Sequence, residues 1–546
     1  MMKASNTIKK FLSAVGVGLL VAMQPTAYGS ACAQGLTVKN PMLWADVPDP
    51  DVIRVGDTFY LVSTTMHLMP GAPIMASKDF KHWKTISYIF DKLTDSPKYN
   101  MENGTSVYGR GQWATSLKYH KGKFYALFAP NDNPGGETYI MESKDAVKWD
   151  LVSRLPHFHD ASLFFDDDNR VYVFYGNGSV IELNEDLKSV KQGGLNKLLF
   201  QRDAEETGLL EGSRMIKKDG KYCLLMISWP AGKPRRQLCY RSDSLTGSWE
   251  KKVILESQFG GFPYVGQGTI VDGPNGEWYG VIFQDRGGVG RVLTLNPCQW
   301  KDGWPMLGDE NGKVPATLSL NLPEGKGLVQ SVVGNEEFDE FEHPSELFLH
   351  NWEWNHNPVD EAWSLSERKG WLRLKTSQIS SNGLFSARNT ISQRMEGPAC
   401  SGIVKLDISH MQNGDRAGFA VFQNEAGLLQ IRKDNNKCYL EVVHDTLALS
   451  RDKNIEKSFS SVLSSSKLKA KIVYLKIEAD FHPGKDIARG FYSLDGKKWT
   501  RIGTDFSMKY DYRRMFMGSR FAIYNYATQA KGGWIDVDYF HYTKEE

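Results

Sequence analysis

Between about residues 38 and 310 the hydrophobic and polar positions repeat one plan five times. An opening residue leads into a short alternating run, a turn follows, and then comes a run rich in aromatic and aliphatic side chains. Asp49 leads into D-V-I-R-V and a turn at Asp57, Ala114 into S-L-K-Y and Gly122, and Asp160 into S-L-F-F and Asp168. Glu211 leads into S-R-M-I and Asp219, and Gln267 into T-I-V and Asn275. The turn falls eight residues after the opening position each time, and Tyr60, Tyr125, Tyr172, Tyr222 and Tyr279 follow it by three or four. Period-two runs joined by a polar turn predict antiparallel hairpins. Later in several units a Ser–Asp turn precedes a tryptophan, from Ser77 to Trp83, Ser143 to Trp149 and Ser242 to Trp249. Each unit has room for about four strands, which fits a propeller blade. A sandwich with the same number of strands would not explain the constant offset.

The chain is therefore expected to be all-β, with a five-bladed β-propeller over 34–315 followed by a β-sandwich. Residues 316–335 are short polar and Gly/Pro segments and predict a linker. From 336 to 546, short alternating runs such as W-L-R-L-K (371–375), G-I-V-K-L-D-I (402–408) and W-I-D-V-D-Y-F (534–540) predict the sandwich.

Residues 1–33 have another pattern. Lys3, Lys9 and Lys10 precede an apolar stretch from Phe11 to Met23, and Ala31-Cys32-Ala33 then supplies a small-residue cleavage site. That is a secretory signal, with cleavage after Ala33 and a periplasmic product. Lipid attachment at Cys32 or release from the cell are the alternatives. The charge balance of 66 Lys+Arg against 64 Asp+Glu gives no footprint for nucleic acid, and nothing after residue 33 is apolar for long enough to insert in a membrane. Cys223, Cys239, Cys298, Cys400 and Cys438 have no metal-clip spacing. Aromatic residues make up 12% of the chain, and flat aromatic faces suit sugars.

The chemistry lies in the opening positions. In a propeller the innermost strands line a central channel, so equivalent positions converge on its mouth. Three of the five are acidic: Asp49, Asp160 and Glu211. Acidic residues are common near hairpin turns, but these sit at the other end of the strand. Carboxylates forced together must separate their pKa values, as acid–base catalysis requires.

The stretches N-P-M-L-W-A-D-V-P-D-P-D-V-I-R-V-G-D-T-F-Y-L (40–61), H-D-A-S-L-F-F-D-D-D (159–168) and E-G-S-R-M-I-K-K-D-G-K-Y (211–222) resemble the three acidic signatures of glycoside hydrolase family 43. The resemblance implies inverting hydrolysis of terminal pentosides. It assigns Asp49 as general base, Glu211 as general acid, and Asp160 as the residue that orients Glu211 and keeps its proton on. It also implies that Arg291 contacts substrate hydroxyls and that Trp113 walls the sugar subsite. Gln267 stands where many members place a channel histidine that helps to hold a hydrated cation. Its amide can meet such an ion, so a structural calcium stays open, although the chemistry needs no cofactor and no other His/Asp/Glu cluster spells a metal site.

E-W-N-H-N-P-V-D-E-A-W-S-L (353–365) and Y-N-Y-A-T (524–528) resemble the concanavalin-like domain of xylosidase-type members, which packs on the propeller and can lend a loop to the site. A separate carbohydrate-binding module is the rival, with Trp352, Trp354 and Trp363 as its candidates. The resulting expectation is an exo-acting α-L-arabinofuranosidase working on hemicellulose oligo- or polysaccharides. The first-blade segment S-T-T-M-H-L-M-P-G (63–71) lacks the bulkier aromatics of xylosidase-like members and favours arabinose. A β-xylosidase is the alternative. A non-catalytic glycan-binding propeller would be expected to lack one of the three acids. The retaining fructosidases share the architecture, but their W-M-N-D-P-N-G opening is absent.

Overall fold

The computed structural model describes residues 35–132, 135–325, 332–339, 341–451, 454–511 and 514–545, so the signal sequence expected over 1–33 lies outside the described residues. Residues 36–546 form one compact unit. Five four-stranded antiparallel sheets succeed one another. Their innermost strands are Asp51–Val55, Ser116–His120, Ser162–Phe165, Leu209–Lys218 and Val265–Asp272, each paired in a hairpin with the strand that follows. The hairpins turn where the sequence places them.

The repeated positions also explain how the blades join. Two residues after the opening position, a side-chain oxygen accepts a backbone N–H from the next blade. Asp51 Oδ2 takes Leu117 N (2.8 Å), Ser116 Oγ takes Leu163 N (3.1 Å) and Ser162 Oγ takes Met215 N (3.3 Å). The aromatics fill the gaps between blades: Tyr60 packs on Phe124, Tyr125 on Phe165, Tyr222 on Phe164 and Tyr279 on Phe80. Most aromatic residues of the propeller thus belong to its core. The ring is closed by the N-terminal segment, where Leu43 bridges Leu293 and Leu36–Lys39 pairs with Thr317–Leu320. The stretch expected as a linker therefore contains a strand.

The C-terminal sandwich has an eight-stranded and a seven-stranded sheet around one apolar core. Trp352 and Trp354 are fully buried there and Trp363 packs against them, so these tryptophans hold the core together. The outermost strand of the eight-stranded sheet comes from the propeller. Leu68–Met69 of the first blade pairs with Glu353–Asn355. The segment 63–71 is buried along its whole length. It forms a joint between the domains.

Candidate active site

The three acids open their blades in strained or bulged backbone. Asp49 and Asp160 adopt left-handed conformations (φ 52° and 46°) just before their strands, and Glu211 sits at a bulge. Gly212 follows Glu211 with φ 74°, and a Cβ there would lie 2.5 Å from the Gln267 amide. Only glycine meets both demands, the left-handed backbone and the close approach. Gln267 is 4% exposed and lies against the Glu211 bulge.

Asp49 lies 8% exposed, with both oxygens engaged. Arg291 Nη1 donates to Oδ1 at 2.7 Å and Thr64 Oγ1 to Oδ2 at 2.9 Å. Arg291 is itself 2% exposed, donates through Nε to Tyr510 Oη at 3.2 Å and lies 3.5 Å from Asp285. The structure thus brings Arg291 onto the carboxylate expected to be the base. Asp160 has different company. Burial pushes it up to about 7, and the neighbouring Glu211 charge adds to the rise. His159 Nε2 lies 3.2 Å from Glu211 Oε2 and 4.0 Å from Asp160 Oδ2. Asp160's charge, above all, raises His159 to about 9.

Trp113 is half-buried, and Phe516 stacks on one of its faces with centroids 5.7 Å apart and planes 10° apart. The Arg291 guanidinium carbon stands 3.7 Å from the Phe516 ring centroid, a cation–π contact. Tyr510 and Phe516 come from the loop between the sandwich strands Thr500–Ser507 and Arg520–Ala527. Sequence reasoning missed both, because nothing local marks a loop as reaching another domain. It also passed over His159, which was quoted within H-D-A-S without a role.

Arg214 Nε and Lys118 Nζ each lie 3.7 Å from a different oxygen of the buried Asp51. Arg214 Nη2 reaches across to the Thr115 carbonyl at 3.2 Å. Two cations thus share one buried carboxylate. The cluster of Asp203, Glu205 and the buried Glu206 is matched by Lys251 and Arg236.

Comparison with known proteins agrees with this geometry. The profile of glycosyl hydrolases family 43 matches residues 38–305, and that of the beta xylosidase C-terminal concanavalin A-like domain matches 338–543. A β-xylosidase of Formosa agariphila is 28% identical over 93% of this chain and 90% of its own. A non-reducing end α-L-arabinofuranosidase of Bacteroides ovatus is 28% identical over 63% of this chain and 66% of its own. Among solved structures, a bifunctional GH43-CE protein of Bacteroides eggerthii superposes with a TM-score of 0.83 at 38% identity, covering 94% of this chain and 64% of that longer one. The five-bladed propeller and the sandwich docked on it are those of a glycosidase, and the chain belongs to glycosyl hydrolase family 43.

Proposed function

We propose that this glycosidase is an inverting exo-enzyme that removes terminal pentose, β-xylose first, from plant hemicellulose or its oligosaccharides. Asp49 acts as the base. Its pairing with Arg291 and Thr64 fixes its orientation toward a water on one face of the sugar, from which it takes a proton. Glu211 delivers a proton to the leaving oxygen on the opposite face. Asp160, adjacent and more deeply buried, shares that proton with Glu211 and helps to keep it in the site. The observation that carries this reading is the contrast in surroundings: one acid is clasped by a guanidinium, and the other two are pressed together.

Xylose is favoured because the relative aligned over most of both chains is named a β-xylosidase. Terminal α-L-arabinofuranose is the second reading, supported by the arabinofuranosidase relative. Product analysis on xylobiose, xylotriose, arabinosylated xylo-oligosaccharides and the two nitrophenyl pentosides decides between them. Release of xylose from xylobiose, lost in Glu211→Ala, supports the primary reading. Arabinose alone supports the second, and binding without hydrolysis by the wild type would return the chain to a glycan-binding role.

Arg214 and Lys118, beside Asp51, lead us to propose that the propeller holds together without a metal. Dialysis against EDTA should leave Tm and activity unchanged, and a loss restored by calcium would refute this. We also read residues 1–33 as an export signal. N-terminal sequencing of the mature protein should start at Gln34, whereas a lipid-modified Cys32 at the N-terminus would mean anchoring.

A further inference from the structure

His159 is the group at the site that the proposed reaction leaves unused. It directly precedes Asp160 in the turn that opens the third blade, and Gly176 N–H holds its carbonyl at 2.8 Å. Its ring lies 6.1 Å from that of Trp113 and 6.5 Å from that of His157. The side chain is 35% exposed, so the imidazole stands between solvent and the acids. Three carboxylates act on it: Asp160 beside it in the same turn, Glu211 from the fourth blade and, at longer range, Asp49 from the first. The nearby cations are engaged elsewhere, Arg291 with Asp49 and Arg214 with Asp51.

We propose that His159 is a positioning residue for proton delivery. Its Nε2–H···Oε2 bond aims the Glu211 carboxyl, and its positive charge sets the pH at which the Asp160–Glu211 pair gives up the catalytic proton. This rests on the reading of Glu211 as the general acid.

The two roles follow from the geometry. Glu211 is 27% exposed on a bulged strand, and His159 is what meets its outer oxygen. An unaimed carboxyl would protonate a poor leaving group inefficiently. A cation beside two neighbouring carboxyls favours their deprotonated form. With His159 present the pair releases its proton more readily, and without it the pair holds the proton to higher pH. The raised imidazole pKa, about 9, keeps the charge in place throughout the neutral range.

The test compares wild type, His159→Phe and His159→Gln by pH profiles of kcat/KM on xylobiose, with histidine-ring NMR titration in parallel. The His159 signal is identified by its loss in the variants. Both substitutions remove the charge, so both should move the alkaline limb up by about one pH unit. Only glutamine can still donate to Glu211. His159→Phe should therefore lose about tenfold in kcat on xylobiose, and His159→Gln should retain most of it. In the wild type the His159 ring should titrate above pH 8, and Glu211→Gln should lower that midpoint. A merely structural role would leave both the limb and the midpoint unmoved. An active wild type whose alkaline limb is the same in both variants, or a His159 ring titrating near its ordinary 6.5, overturns the role alone. A wild type inert on every pentoside overturns the reading of the reaction and this role with it.

Discussion

Asp49 and Asp160 open equivalent blades in the same left-handed conformation, and their partners set them apart. Asp49 faces a guanidinium at 2.7 Å, whereas Asp160 faces Glu211 and an imidazole. The base is needed whatever the leaving group, but the acid is needed only when the leaving group is poor. Asp49→Asn should therefore lower kcat/KM by about 10²–10⁴-fold on xylobiose and nitrophenyl xyloside alike. Glu211→Gln should show that loss on xylobiose and a much smaller one on the nitrophenyl substrate. Equal losses for Glu211→Gln on both would remove it from the acid role. At this scale the sequence was informative where chemistry coincided with the repeat. The acids could be read because each occupies the same position in its own hairpin. His159 could not, because one step before the repeated position nothing distinguishes a functional imidazole from a turn residue. Gln267 was read as a channel group from its repeat position, and only the close approach of Gly212 shows that it lies against the strand carrying Glu211.

Each domain sends an element into the other. The first blade contributes Leu68–Met69 to the sandwich sheet, and the sandwich returns the loop carrying Tyr510 and Phe516 to the site. Phe516 covers one face of Trp113 and lies against the cation that holds Asp49. Phe516→Ala should raise KM for xylobiose about tenfold by opening this wall, while Tm changes little because the ring is only half-buried. An unchanged KM would place the ring outside the sugar site. The hairpins themselves were legible because alternation and turn residues are local signals. The Ser–Asp turns illustrate this: Asp79 Oδ1 accepts Lys81 and His82 N–H, and Asp145 Oδ1 accepts Val147 and Lys148 N–H. The same turn recurs in the sandwich at Ser493 and Asp495, so it marks a hairpin and not a blade. Exchange between domains leaves no such mark, because the pairing of Leu68–Met69 depends on residues nearly three hundred positions away.

Across the whole molecule, buried imidazoles at the domain joint link stability to pH. His67 is fully buried against Tyr108 and His356, both ring nitrogens lack a hydrogen-bond partner, and burial depresses it to about 3. A group that must stay neutral in the folded state stabilises the fold above its unfolded pKa of about 6.5. That contribution is lost as pH falls from there toward 3, by up to about 1.4 kcal/mol per pH unit. Tm should therefore drop between pH 7 and pH 5, and the drop should be smaller in His67→Phe. An equal drop in the variant would assign the acid sensitivity to other groups. Since residues 36–546 form one unit and the sandwich completes the site, propeller and sandwich should unfold in a single transition. If acids from three blades perform a single displacement, the anomer first released carries its signature. Proton NMR during rapid hydrolysis of a β-xyloside should show α-xylose before mutarotation. Appearance of β-xylose first would require a covalent intermediate and would contradict the assignment of Asp49 as a base.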